Sequence, residues 1–233
     1  MPAVPGFLPG PNGLRFTNEW PHEPDIEVNV PPFGTIPIGD ASNGLCGGMV
    51  FLVRDVFEAG RPPLEDPRPA EGTPLFGYIV RRLFDSFDLP NGVLKYYEWM
   101  NTPDGDTDLW LAIRRGIAWK TVREEWPKVR ADIDAGHPSP LGLVTVESAD
   151  PNDLGKNHQV LAYRYTLLRD VLTLHVYDPN TEAAEADEAF LRMHVEDPTK
   201  ATAIQHTIAI GEPIRGFFRV DYSSRDPSAL YPA

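Results

Sequence analysis

The pattern of hydrophobic and polar positions divides the chain into a helical half and a strand-rich half. Residues 46–59 are apolar on nearly every side over two turns, which predicts a helix buried at the centre of the domain. Helical spacing of apolar residues predicts three more helices, over 73–87, over 93–100 and within 121–135. The start of the last helix stays open. Pro127 favours a start near Trp126, whereas a capping box at Thr121 and Glu124 would start it earlier.

Alternating apolar and polar residues take over after position 136 and predict a sheet. The predicted strands are 140–146, 157–165, 171–177, 190–195, 203–210 and 214–222. A short polar turn joins the second strand to the third, which indicates a β-hairpin. Because the helices come first and the strands follow, the sequence predicts the α+β class, with an N-terminal helix bundle packed on a C-terminal antiparallel sheet.

Proline marks the ends of the domain. The chain of 233 residues contains 25 prolines, many of them within 1–37 and 226–233. Phe7, Phe16 and Trp20 recur in the first stretch without helical or strand period, so we expect an extended arm laid over the domain. The length suits one domain. We therefore expect an arm over 1–37, a single catalytic domain over 38–225 and a flexible tail over 226–233.

Composition and charge limit the partners. The formal net charge of -13 argues against nucleic acid, whose phosphates would be repelled. No apolar run is long enough to span a bilayer and no secretion signal is recognisable, so we expect a cytoplasmic monomer without a membrane partner. Export without a signal peptide stays open. The single cysteine excludes an internal disulfide and a Cys-rich zinc site. The histidines show no metal-ligand spacing, and we expect neither metal nor cofactor.

Cys46 is the first candidate for chemistry, because it lies at the predicted start of the buried helix. A helix N-terminus and an imidazolium neighbour both stabilise a thiolate, which is the nucleophilic form of cysteine. Gly47 and Gly48 follow directly, and we expect them to let a substrate backbone approach. The alternative is that Cys46 is a small residue of the hydrophobic core.

His158 and Asp178 complete the candidate set. His158 begins one strand of the predicted hairpin and Asp178 ends the other, so strand pairing can bring imidazole and carboxylate together. A nucleophile, a base and a group that orients the base form a catalytic triad. Asn180 could replace Asp178 as the orienting group.

Three segments resemble one known family. Residues 43–48 (NGLCGG), 157–163 (NHQVLAY) and 176–180 (VYDPN) are similar to the papain-like cysteine peptidase superfamily, nearest to the bacterial branch that includes bacteriocin-leader peptidases. The resemblance spans residues 39–180. It implies a papain-like fold, with Cys46 as nucleophile, His158 as general base and Asp178 as orienting group. It also implies acyl transfer through a thioester, usually hydrolysis of a peptide or isopeptide bond in a peptide or protein substrate.

One position departs from the family pattern. A glutamine usually stands six residues before the nucleophile and helps to bind the oxyanion, but Asp40 stands there in this chain. An ionised carboxylate cannot donate a hydrogen bond to an oxyanion. We expect Asn43, or else Ser42 or a residue elsewhere in the chain, to supply the donor beside the Cys46 N–H. Otherwise Asp40 has a structural role such as capping, or catalysis has been lost. Two alternatives remain open: a catalytically inactive binding module of the same fold, and an acyltransferase that uses the same triad.

Overall fold

The computed structural model describes residues 1–20, 27–30, 34–37, 45–88 and 91–232, and these residues form a mixed α+β fold. Six α-helices are found among them: α1 (Pro9–Asn12), α2 (Cys46–Glu58), α3 (Pro74–Ser86), α4 (Asn91–Met100), α5 (Ile117–Trp119) and α6 (Trp126–Asp134). The four predicted helices correspond to α2, α3, α4 and α6, with boundaries shifted by a few residues.

The main sheet has six antiparallel strands. Its strands are β5 (Ser139–Val144), β6 (His158–Leu168), β7 (Val171–Tyr177), β8 (Phe190–His194), β9 (Gln205–His206) and β10 (Gly216–Arg219). Their order across the sheet is β10-β5-β6-β7-β8-β9. Two small hairpins lie outside it: β1 (Glu27–Val30) with β2 (Gly34–Pro37), and β3 (Thr107–Asp108) with β4 (Ile113–Arg114). The α+β prediction is confirmed at this level.

The centre of the fold is α2, packed between α3 and the sheet. Residues 46–56 of α2 are all buried, as the apolar run predicts. Thr73 caps α3 by accepting a hydrogen bond from the Phe76 backbone N–H at 3.3 Å, with proline in the first turn. The helix that carries Cys46 is therefore held on several sides.

The start of α6 settles the alternative left open by the sequence. The helix begins at Trp126, with Pro127 in its first turn, and a π-helical segment, Lys120–Glu125, precedes it. Thr121 does not cap a helix. Its hydroxyl exchanges hydrogen bonds with the backbone N–H and C=O of Phe217 in β10, each at 3.2 Å.

The predicted hairpin is confirmed as β6 and β7. Leu161 lies opposite Tyr177 in the ladder, and the register shifts at a bulge after Ala162. The last two predicted strands are wrong in length, because only Gln205–His206 and Gly216–Arg219 pair in the sheet. Bends at 208–209 and 211–212 and irregular chain with Pro213 separate the two short strands.

The first residues of the N-terminal arm contact the domain. The Val4 N–H donates to the Tyr163 carbonyl at 2.8 Å and the Tyr165 N–H donates to the Pro2 carbonyl at 3.1 Å, so the arm continues the ladder beside β6. Phe7 is buried in the core. The arm is not extended throughout, since it contains α1.

The C-terminal segment also lies against the domain. Ser228–Leu230 forms a turn of 3-10 helix, and the Ser228 hydroxyl accepts a hydrogen bond from Arg61 at 2.8 Å. The Tyr231 hydroxyl donates to the Pro62 carbonyl at 2.6 Å. The expectation of a flexible tail over 226–233 is therefore wrong for its described part, because specific side-chain contacts attach it to the loop after α2.

Candidate active site

Cys46 is the first residue of α2, as the sequence predicts. The N–H groups of a first helical turn have no partner within the helix. Leu45, the residue that caps this end, gives no side-chain hydrogen bond to the turn. Cys46 is only 7% exposed, so the residue is buried just beneath the protein surface.

The two glycines after Cys46 serve helix packing. A Cβ on Gly47 would collide with the Ser86 hydroxyl and press on the Gln159 amide, and a Cβ on Gly48 would collide with the Ile79 carbonyl of α3. Both glycines are buried. The expectation that they admit a substrate backbone is wrong, because α3 and the sheet already occupy the space beside them.

The imidazole of His158 stands between the thiol and a carboxylate. His158 begins β6, and its Nε2 lies 2.7 Å from Oδ1 of Asp178, the residue directly after β7. This leaves Nδ1 free of Asp178, and a hydrogen bond with Cys46 contributes to the raised pKa of His158. The structure thus brings Cys46, His158 and Asp178 together in the order thiol, imidazole, carboxylate.

Electrostatics favour an ionised pair. Burial lowers the pKa of His158, but hydrogen bonds with Asp178 and Cys46 outweigh it and raise the pKa to about 10. Burial raises the pKa of Asp178, but the hydrogen bond from His158 and further donors bring it below its usual value. At neutral pH the imidazole therefore holds a proton against an ionised carboxylate.

Asp178 is fixed by four hydrogen bonds. Besides His158, its Oδ1 accepts from the Asn180 N–H at 3.0 Å, and its Oδ2 accepts from the Thr181 hydroxyl at 2.7 Å and the Ala209 N–H at 2.9 Å. The residue is fully buried. A buried carboxylate with every oxygen bonded cannot rotate without losing donors, so it fixes the orientation of the imidazole.

Asn180 does not act as a second orienting group. Its side-chain Oδ1 accepts a hydrogen bond from Asn18 at 3.1 Å, and its Nδ2 donates to the Ala209 carbonyl at 3.4 Å. Only its backbone N–H reaches Asp178. The prediction of Asn180 as a substitute for Asp178 is wrong, because its side chain points to the N-terminal arm instead of His158.

Asn18 is the residue that the sequence analysis misses. Its Oδ1 accepts from the Leu45 N–H at 2.8 Å and from the Trp20 indole N–H at 3.2 Å, and its backbone N–H donates to the Pro179 carbonyl at 2.9 Å. Asn18 thereby joins the N-terminus of α2 to the turn that carries Asp178. A polar residue in a proline-rich segment without period gives no signal of such a role.

A cleft of about 260 Å³ opens beside His158. Asn18, His158 and Asn180 form one part of its lining, and Lys156 and Glu212 contribute charges of opposite sign to the rest. His158 and Asn18 thus border the same cleft. A small acyl group or a short peptide segment has room there.

Tyr96 and Gln159 lie behind the thiol and imidazole. The buried Tyr96 hydroxyl donates to the His158 carbonyl at 3.4 Å. Burial raises the pKa of Tyr96 well above its usual value. Gln159 donates to the Ser86 hydroxyl at 3.3 Å. These contacts fix the backbone at the start of β6.

The predicted oxyanion residues cannot be placed. Asp40, Ser42 and Asn43 lie outside the described residues, so their roles stay predictions. Within the described part of the chain, no group of three or more His, Cys, Asp or Glu side chains is arranged to hold a metal ion. None of the described helices is long and apolar enough to cross a membrane.

Comparisons with known proteins give no match. No family model, no curated protein and no solved structure matches the chain. The geometry of the site is therefore the basis for the functional argument.

Proposed function

We propose that the protein is a papain-like thiol hydrolase that acts on a peptide or amide bond through an acyl-enzyme at Cys46. One observation carries the proposal. The thiol at the head of a buried helix meets an imidazole whose other nitrogen is held at 2.7 Å by a buried carboxylate. This is the arrangement of nucleophile, base and orienting group that acyl transfer needs.

In the acylation step, the Cys46 sulfur attacks the carbonyl carbon of the substrate. The S–C bond forms as the C=O bond opens to a tetrahedral intermediate. His158, which holds the thiol proton as an imidazolium, gives it to the leaving amine as the C–N bond breaks. Asp178 stabilises the imidazolium before this transfer and keeps Nδ1 directed at the reacting groups.

In the deacylation step, His158 is neutral and acts as a base. It takes a proton from water, the oxygen attacks the thioester carbonyl, and the Cys46 sulfur leaves with its electron pair. The cleft that His158 borders has room for the attacking water. An amine in the same cleft would accept the acyl group by the same steps. The test below therefore measures hydrolysis, in which water is the acceptor.

Mass spectrometry of a peptide library tests the proposal. The library is incubated with the parent protein and with Cys46→Ala, and new termini are identified. We expect cleavage by the parent and none by the variant, with Ser148→Ala as a control that leaves cleavage unchanged. Cleavage that survives in Cys46→Ala would show that the thiol is not the nucleophile. A parent protein without turnover would favour the inactive binding module.

A further inference from the structure

Acyl transfer at Cys46 places negative charge on the carbonyl oxygen of the substrate, and the site needs donors for it. An N–H of the first turn of α2 can supply one. We infer that the side-chain amide of Asn18, from the N-terminal arm, supplies the second donor. This inference rests on the proposed function and assigns a residue of the arm to its machinery.

The orientation of the Asn18 amide is fixed by its contacts. Two N–H groups, from Leu45 and Trp20, donate to Oδ1, so that end of the amide must be the oxygen. The other end is therefore the NH2 group. One of its hydrogens goes to Asn180 Oδ1 at 3.1 Å, and no acceptor among the described residues takes the second.

The position of this NH2 group suits an oxyanion donor. Leu45, whose N–H lies 2.8 Å from the Asn18 Oδ1, is the chain neighbour of Cys46. Asn18 also lines the cleft that His158 borders. The amide thus lies at the N-terminus of the nucleophile helix and on the wall of that cleft, and an oxyanion donor must stand beside both the nucleophile and the base.

The neutrality of the donor matters beside a thiolate. An amide NH2 donates to an oxyanion without carrying charge, so it does not compete with His158 for the thiolate. The amide is also held in place before substrate arrives, by contacts to the arm, to α2 and to the turn after β7. Donors preorganised in this way stabilise the transition state without reorganisation at the moment of reaction.

Two reactions of the same thiol separate an oxyanion donor from a structural residue. With p-nitrophenyl acetate, the sulfur forms a bond to the acetyl carbon, the carbonyl oxygen takes the charge, and p-nitrophenolate leaves. With iodoacetamide, the sulfur displaces iodide from carbon and no oxyanion forms. Changes in thiol ionisation or access affect both rates, so the ratio of acylation to alkylation isolates the oxyanion.

The variants are Asn18→Ala and Asn18→Asp, with Asn12→Ala as the matched control. Asn12 is an amide of the same arm whose side chain donates to the nearby carbonyls of Gly6 and Leu8. Asn18→Asp keeps the acceptor for Leu45 and loses the donor. Removal of one oxyanion donor typically costs about 10²- to 10³-fold in rate. We expect the ratio of the acylation rate to the alkylation rate to fall by about that factor in both Asn18 variants.

The outcomes separate the inference from the function. A parent that is acylated, with an unchanged ratio in Asn18→Ala, contradicts the inference and leaves the proposed function intact. Parallel loss of both rates, with a lower melting temperature, assigns Asn18 a structural role only and also overturns the inference. A parent whose Cys46 is alkylated but never acylated contradicts the proposed function, and the inference with it.

Discussion

The interaction of His158 with its partners should make stability depend on pH. Burial alone would lower the pKa of this imidazole. Hydrogen bonds with Asp178 and Cys46 outweigh burial, so the pKa is raised from 6.5 to about 10 in the folded protein. A group whose folded pKa is raised contributes stability that is fully present below the unfolded pKa. That contribution is lost as the pH rises through the folded pKa. The window therefore runs from 6.5 to about 10.

The magnitude follows from the same two values. The difference between 6.5 and about 10 corresponds to about 5 kcal/mol, because each pKa unit is worth about 1.36 kcal/mol. His158 is only 6% exposed, so screening by solvent removes little of this energy. His158→Gln removes the titrating group. Between pH 6.5 and about 10, the free energy of unfolding of the parent should therefore fall by about 5 kcal/mol more than that of the variant.

Urea unfolding measured across this pH window tests the prediction. The free energy of unfolding is determined for the parent, for His158→Gln and for the control His137→Gln. His137 also contacts a carboxylate, Glu58 at 2.8 Å, but its side chain is 51% exposed. The control should follow the parent. Equal pH dependence in the parent and in His158→Gln would refute the electrostatic argument for the site.

Two further predictions concern the packing that positions Cys46. Arg82 and Asp55 form a fully buried ion pair at 2.7 Å, so Arg82→Met should lower the free energy of unfolding by about 3 to 5 kcal/mol. The control Arg81→Met, at an exposed neighbouring position, should have little effect. Equal melting curves for the two variants would contradict this prediction. Gly48→Ala should cost about 1 to 3 kcal/mol because its Cβ collides with a backbone carbonyl of α3, whereas Gly77→Ala, in open space on α3, should stabilise by up to about 1 kcal/mol. Calorimetry should show a lower melting temperature for Gly48→Ala and a higher one for Gly77→Ala. If Gly48→Ala also raised the melting temperature, α2 and α3 would have to separate without cost.

Local pattern was enough to predict which elements carry Cys46, His158 and Asp178. The apolar run after Cys46 could form only a buried helix, and it does. The β6–β7 register places Leu161 opposite Tyr177, and continued by three residues it sets His158 across from residue 180. Strand alternation and a short turn therefore predict that His158 and Asp178 can meet, although not which carboxylate or amide oxygen binds the ring.

Contacts between distant, irregular segments could not be predicted in this way. Asn18 reaches Leu45 and Asn180 from a segment with neither helical nor strand period. Gly47 and Gly48 could be interpreted as a substrate approach because sequence alone does not show that Ser86 and Ile79 lie against them. Such contacts depend on how whole elements dock, which the local sequence does not encode.

The most direct test of the central claim is the rate of Cys46 alkylation by iodoacetamide as a function of pH, in the parent and in His158→Gln. If the imidazole activates the sulfur, the parent reacts well below pH 7, where an ordinary thiol with a pKa near 8.5 is almost wholly protonated, and the variant loses this reactivity. A parent that follows the titration of an ordinary thiol, with the same curve in His158→Gln, would contradict the account.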